Sequence, residues 1–467
     1  MKKSWLHIVV FLLFVCSTEA QTIILPKSLR QATVSLVITD LATKQPILQY
    51  DAHKSATPAS ITKLITTATA LEILGADFKF ATTIAYDGVI EDGVLVGNLY
   101  VIGSGDPSLG SKFFPDRVNF LSDWVSQLKS FGIKRITGNI IADASCYDQE
   151  PIPVRWTWED IGNYYAAGVF GLSCFDNTTY ITLRSGAVGS TPEILGVTPS
   201  VANLKLYNQL VASSIDFDSA YVYGMPYDNQ RWLRGAIPAN RPSFVLKGDI
   251  PNPPKTLVEF FTRTLIENGI AVMGVPTDEW DKKQEKVRKN LFVYESPSLS
   301  ELCRVTNVYS HNNFAEHIFK RLALQNVSVA TNGEAIQVIK SFWKTQGVDA
   351  TTYSLNDGSG LSRMNAFSAN FLDDILGVMF NSSQFPAYLN SLPIAGEEGT
   401  VKSFLRDVPS QVKVYAKSGS MAGVQTYAGY ILKGNKNYSF CVMVNNYSGS
   451  RAALRKEIEK WLQKAVN

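Results

Sequence analysis

The sequence predicts an α+β protein whose core is written in two pieces on either side of a long, mostly β insertion. Three observations carry that expectation. A strand pair followed by an apolar helix occupies residues 33–75. Short β-like runs separated by turn clusters fill residues 81–289. The chain then returns to helical texture and closes on three strand-like runs and a last helix.

Taken in order, residues 1–20 read as a signal peptide. Lys2 and Lys3 give a charged start, Leu6 to Val15 is apolar apart from His7, and Thr18-Glu19-Ala20 is a cleavage-type sequence before Gln21. The stretch is short for a membrane span. Cys16 would suit lipidation, but Val15 is bulky for that signal, so cleavage after Ala20 is the expectation. No later segment reaches about 18 consecutive apolar residues. The expected product is exported to the periplasm or cell envelope, soluble or loosely membrane-associated.

Residues 21–80 are expected to form the first part of a catalytic domain. Val34, Leu36 and Ile38 alternate as in a half-buried strand. "TPASITKLITTATALEILG" then reads as a helix, with Pro58 at its entry and Gly75 at its stop. Ile61, Leu64, Ile65, Ala68, Leu71 and Leu74 trace its apolar face. Residues 81–289 form the insertion, read with one helix near 118–132 and room for two subdomains. Residues 290–467 complete the catalytic domain: helical texture over 298–325, strand-like "VKVYAKSGS", "TYAGYILKG" and "YSFCVMVNNY", and a final helix over about 451–465.

Composition excludes several functions. The chain of 467 residues is 45% hydrophobic and 18% charged with a formal charge of +3, an ordinary globular balance without long basic runs, so nucleic acid is not an expected partner. Neither a P-loop nor HExxH occurs, and no zinc-type cysteine pair is present; no metal or cofactor is expected. Beyond the signal peptide lie Cys146, Cys174, Cys303 and Cys441. A Cys146–Cys174 bridge and four buried thiols are both open, the thiols being the simpler reading.

The chemistry-bearing motif is Ser60-x-x-Lys63. Alone it is weak: Ser-x-x-Lys also begins at Ser126, Ser341 and Ser410, and a serine at a helix start is ordinarily a cap. Its company raises it. Ser310-His311-Asn312 falls where two helical segments meet, and Lys417-Ser418-Gly419 lies at the end of a strand-like run. These three motifs, in this order, form the signature of penicillin-recognising serine enzymes.

With "GSGDPSL" (103–109), "NDGSGLSRMNAFS" (356–368), "LPIAGEEGTV" (392–401) and "VYAKSGSMAGV" (414–424), the mature chain resembles the D-alanyl-D-alanine carboxypeptidase/endopeptidase family, the class C low-molecular-mass penicillin-binding proteins. The wide gap between Ser60 and Ser310 fits, since that family carries large extra domains there. Two departures stand out. His311 occupies a position where Asp or Asn is usual and is expected to face solvent; Ser418 replaces the commoner Thr and keeps the hydroxyl.

The resemblance implies a penicillin-binding-protein/β-lactamase-like transpeptidase domain, an antiparallel sheet with flanking helices. It also implies roles. Ser60 would be the nucleophile, Lys63 its base and Ser310 a proton relay. Asn312, Lys417, Ser418 and Gly419 would bind substrate, and the backbone N–H groups of Ser60 and Ser420 would form the oxyanion hole. Lys63 can act only as a neutral amine, which burial and the nearby Lys417 would favour. Gly419 is expected to keep the strand edge clear for ligand. "DGSGLSR" (357–363) is expected to be structural support without a chemical role, and Tyr164 and Tyr165 to serve packing more than the cleft. Peptidoglycan stem peptides would be substrates and β-lactam antibiotics covalent inhibitors. A serine β-lactamase and a catalytically idle cell-wall binding protein are the alternatives; oligomeric state and the carboxypeptidase–endopeptidase balance are left open.

Overall fold

The computed structural model describes residues 21–280, 287–349 and 353–466; the expected signal peptide, residues 1–20 with Cys16, lies outside them. A six-stranded sheet draws its strands from both ends of the chain. Its order is Gln21–Thr22, Gln45–Tyr50, Thr33–Asp40, Lys436–Asn445, Val424–Lys433 and Val412–Met421. The first pair is parallel and the others antiparallel. Thr33–Asp40 zips against Lys436–Asn445 from Thr33 opposite Asn445 to Asp40 opposite Tyr438, so the seam between the two ends lies mid-sheet.

Strand alternation sorts the side chains into two cores. Val34, Leu36, Ile38, Phe440, Val442 and Val444 share one face with Leu454, Ile458, Trp461 and Leu462 of the C-terminal helix. Val37, Cys441 and Met443 point the other way, toward the helical core. The helices in chain order are α1 (Thr62–Leu74), α2 (Phe120–Ser130), α3 (Pro253–Glu267), α4 (Leu299–Val308), α5 (Asn312–Ala323), α6 (Asn332–Thr345), α7 (Ala369–Phe380), α8 (Phe385–Ser391) and α9 (Arg451–Val466).

Helix α1 is buried on every side over Thr62–Leu71 rather than on one face, because α4 to α8 and the sheet surround it. Its polar residues survive there by bonding to backbone. Thr67 and Thr69 hydroxyls donate to the carbonyls of Lys63 (2.8 Å) and Ile65 (2.7 Å), and Thr66 reaches the Gly358 carbonyl (2.7 Å). Gly75, at φ +84°, ends the helix as its sequence position suggests.

The chain between 81 and 295 builds four further sheets. The strand Lys289–Glu295 pairs with Ala81–Tyr86, so the five-stranded sheet of this region extends past residue 289. Among its described residues the region holds two α-helices, not one. Helix α3 was not anticipated, although Asn252 caps it by accepting from the Lys255 N–H (3.1 Å) and Pro253 and Pro254 open its first turn. Its Leu257, Val258, Phe261 and Leu265 pack with Trp124 and Leu128 of α2.

Cys146, Cys174, Cys303 and Cys441 are buried. Cys146 and Cys174 face different partners, the Gly171 carbonyl (3.6 Å) and the Pro253 carbonyl (3.7 Å), so the bridge between them does not form. Among the described residues no helix is long and apolar enough to cross a membrane. Trp461 is nearly buried against the sheet; Trp461→Ala is predicted to cost about 3–5 kcal/mol of unfolding free energy, read by chemical denaturation.

Candidate active site

Three elements meet at one end of the central sheet: the turn leading into α1, the junction of α4 and α5, and the edge strand Val412–Met421. Ser60 sits in a 3-10 turn, Ala59–Ile61, that runs straight into α1. Ser60 is not the cap residue of either element, since Pro58 precedes the 3-10 turn and Ile61 precedes α1, which removes the cap reading. Ala59, just before it, has φ +50°, a left-handed conformation that a residue bearing Cβ adopts at a cost of order 1–3 kcal/mol. Ser310 carries a second such distortion, φ +56°, which breaks the helical path between α4 and α5. Both motif serines therefore stand where packing holds the backbone against its local preference.

Lys63 is completely buried one turn after Ser60. Its Nζ lies 3.0 Å from Ser60 Oγ, 2.7 Å from Asn312 Oδ1 and 2.6 Å from the Ser359 carbonyl oxygen. A neutral amine has two N–H donors and one lone pair. Donation to Asn312 and Ser359 leaves the lone pair for the Ser60 hydroxyl proton. Burial lowers the Lys63 pKa to about 7, although Asp357 and Glu316 pull it back upward. Desolvation rather than the second lysine is thus the main cause. Lys417, equally buried, donates to Ser310 Oγ (2.9 Å) and to the Ser418 carbonyl (2.6 Å). Burial and repulsion from Lys63 hold it well below its usual value.

The sequence-predicted residues thus fall into two linked pairs, Ser60 with Lys63 and Ser310 with Lys417, with Asn312 on the first. Asn312 is held at both ends, since its Nδ2 donates to the Tyr165 carbonyl (2.7 Å). Ser418 Oγ donates to Thr400 Oγ1 (2.7 Å), bringing "GEEGTV" to the rim. Val414 and Ala416 use their outward carbonyl and N–H on Ala395 and Pro393. By strand alternation the N–H groups of Ser418 and Ser420 face that same outer edge.

Several expectations change. His311 does not face solvent: it is half-buried, caps α5 by accepting from the Phe314 N–H (3.4 Å), and meets Phe113 and Phe314 edge-on. Burial, then the charges of Lys112 and Lys63, push its pKa down to about 3, so it stays neutral. Gly419 is required by the protein before any ligand arrives. A Cβ there would lie 2.3 Å from Thr426 Oγ1 and 2.8 Å from both the Pro58 oxygen and the Ser60 nitrogen. Tyr164 is exposed, and Tyr165 contributes its backbone to the site.

The "DGSG" loop does more than support from a distance, because its Ser359 carbonyl touches Lys63 directly. Gly360 at φ +82° leaves no room for a side chain against the Ala59 carbonyl. Asp357 anchors the loop by accepting from the N–H groups of Gly360 and Ser362, Asn365 Nδ2 and Trp156 Nε1, at 2.6 to 2.8 Å. Glu316 was missed altogether. A glutamate four residues after Asn312, within the apolar run "FAEHIF", was the available signal.

Comparison with known proteins follows the same lines. The model of the D-Ala-D-Ala carboxypeptidase 3 (S13) family matches residues 18–465. The chain belongs to that family. It is accordingly a serine-type carboxypeptidase of the hydrolase class. A D-alanyl-D-alanine carboxypeptidase of Actinomadura sp. (strain R39) is 28% identical over 90% of this chain and 79% of its own length. The D-alanyl-D-alanine carboxypeptidase DacB of Haemophilus influenzae is 25% identical over 89% and 86%. A crystal structure of penicillin binding protein 4 (dacB) from that organism superposes with a TM-score of 0.81, at 24% identity, covering 95% of this chain and 98% of that one. The penicillin-binding-protein-like fold with a large insertion is therefore shared. Among the described residues, no group of three or more His, Cys, Asp or Glu is placed to hold a metal ion.

Two outcomes follow for this S13 enzyme. Gly419→Ala would wedge the edge strand away from the Ser60 turn; it is expected to slow peptidase turnover at least about tenfold, equivalent to about 1.4 kcal/mol in barrier. Steady-state kinetics beside a thermal melt would check it. On the reading that Lys63 accepts the Ser60 proton, which it can do only when unprotonated, activity is expected to rise with pH on an acid limb centred near 7 and to fall as Lys63 gains its proton below that value. A pH–rate profile reads this directly.

Proposed function

We propose that the protein is an exported serine D,D-peptidase that releases the terminal D-Ala of peptidoglycan stem peptides through an acyl-enzyme on Ser60. The observation that carries this reading is the Lys63 amine: fully buried, and placed 3.0 Å from Ser60 Oγ with two other acceptors for its hydrogens. Ser60 Oγ attacks the carbonyl carbon of the D-Ala–D-Ala bond while its proton passes to Lys63. The oxyanion is received by the N–H groups of Ser60 and Ser420, each worth about 3–4 kcal/mol by analogy with other oxyanion donors. Ser310, bonded to Lys417, relays a proton to the departing amine as the C–N bond breaks. Water then cleaves the ester, and no cofactor enters.

Lys417, Ser418 and the outward edge at Ser418 to Ser420 receive the substrate's terminal segment as an added strand. Asn312 orients the substrate amide, with Tyr165 holding its other end. A cross-link between D-Ala and a diamino acid presents the same acyl group, so endopeptidase action uses the same steps. The Haemophilus protein is known in complex with a β-lactam. Here β-lactams are proposed to acylate Ser60 in place of the peptide. An intact-mass measurement with benzylpenicillin is expected to add one penicilloyl group to wild type and none to Ser60→Ala. Rapid consumption of the drug without an adduct would support a β-lactamase instead. Neither adduct nor consumption would leave the idle binding protein.

A further inference from the structure

Glu316 is fully buried on α5, one turn after Asn312, and the reaction described above gives it nothing to do. Buried carboxylates are costly, so their partners are informative. Its two oxygens accept from consecutive backbone N–H groups, Oε2 from Gly358 (3.1 Å) and Oε1 from Ser359 (2.7 Å). The carbonyl of that same Ser359 accepts from Lys63 Nζ at 2.6 Å, and Lys63 reaches Ser60 at 3.0 Å. A continuous path therefore runs from Glu316 through the backbone of one residue, Ser359, to the amine and the Ser60 hydroxyl. The loop can sit this close to α5 because Gly358 has no side chain: a Cβ would lie 2.4 Å from Phe319 Cβ and 3.1 Å from the Ala315 carbonyl.

We propose that Glu316 is a positioning residue for the acylation step, which fixes the Ser359 carbonyl against Lys63 and, as the nearby carboxylate, tunes how readily that amine keeps its proton. The charged groups facing the pair are few. Asp357 lies in the loop that Glu316 holds, Lys417 reaches Lys63 from the edge strand, and His311, at the start of α5, feels the Lys63 charge. On α5 itself, Lys320 is paired with Asp148 (2.6 Å), and His317 Nδ1 meets the Gly105 carbonyl (2.9 Å). Burial, then repulsion from Asp357, raises the Glu316 pKa above the usual carboxylate range, and both carboxylates act to raise that of Lys63. Lys63 and Glu316 consequently compete for protons around neutrality. When Glu316 is ionised the ammonium is favoured; when it is protonated the free amine is favoured.

The sign of the test follows. Glu316→Gln keeps the shape and removes the charge in every protonation state, so Lys63 loses its proton more easily. The acid limb of the second-order acylation rate with benzylpenicillin should move down by about one pH unit. Glu316→Asp keeps the charge with a shorter reach; it should acylate more slowly with its limb near the wild-type position. A merely structural Glu316 would slow both variants without moving either limb, and that result overturns the inference. Should Glu316→Gln fail to fold in a thermal melt, Glu316→Met removes the same charge with a flexible side chain of similar length: a limb moved down supports the proposal, and an unmoved limb overturns it. The inference rests on the proposed acylation of Ser60. Wild type run in the same series separates the two, since no wild-type adduct at any pH defeats that reaction, whereas a limb common to all three proteins defeats the role of Glu316 alone.

Discussion

An ammonium group taken wholly out of water is the constraint on which the rest of the structure depends. Lys63 lies on a helix surrounded by other elements, and its charged form there is opposed by desolvation. The protein does not neutralise it with a contacting carboxylate. It supplies three oxygens instead, from Ser60, Asn312 and Ser359, which suit a neutral amine whose lone pair faces a hydroxyl. A carboxylate in direct contact would have held the proton on nitrogen and removed the base. Carboxylates are present, but separated from the amine by the backbone of the 357–360 loop, where they moderate the charge rather than capture it.

Holding that arrangement imposes costs elsewhere. Ala59 and Ser310 keep left-handed backbones, and Gly358, Gly360 and Gly419 each stand where a Cβ would collide with backbone or a packed side chain. The five positions come from distant parts of the chain and converge on one small volume. Thr426 Oγ1 donates to the Pro58 carbonyl (2.7 Å), tying the central sheet to the Ser60 turn. The sheet and its two cores supply the stability that sustains this local strain.

The inserted region takes part in the same design. Tyr165 offers its carbonyl to Asn312, and Trp156 donates to Asp357 (2.8 Å). Tyr147 reaches across to the His317 carbonyl (3.0 Å). One wall of the catalytic centre is therefore built by residues that precede its second motif by well over a hundred positions, so the long spacing between Ser60 and Ser310 does not separate the insertion from the chemistry.

By itself the sequence determined the strands and helices that carry the three motifs, and the motifs themselves, because those are local properties, while helix α3 escaped it. Alternation at Val34, Leu36 and Ile38 shows which face is buried, and Ser60-x-x-Lys63 places two side chains one helical turn apart. It also misjudged what depends on neighbours. His311 looks polar and exposed in sequence but is enclosed by Phe113 and Phe314, and Gly419 looks reserved for ligand but is needed by Ser60 and Thr426. Glu316 carried a faint signal and Ser359 none, since a backbone carbonyl has no residue type to announce it. Only the tertiary structure could bring that carbonyl to Lys63, because hydrogen bonding and desolvation depend on distances between segments that sequence order does not encode.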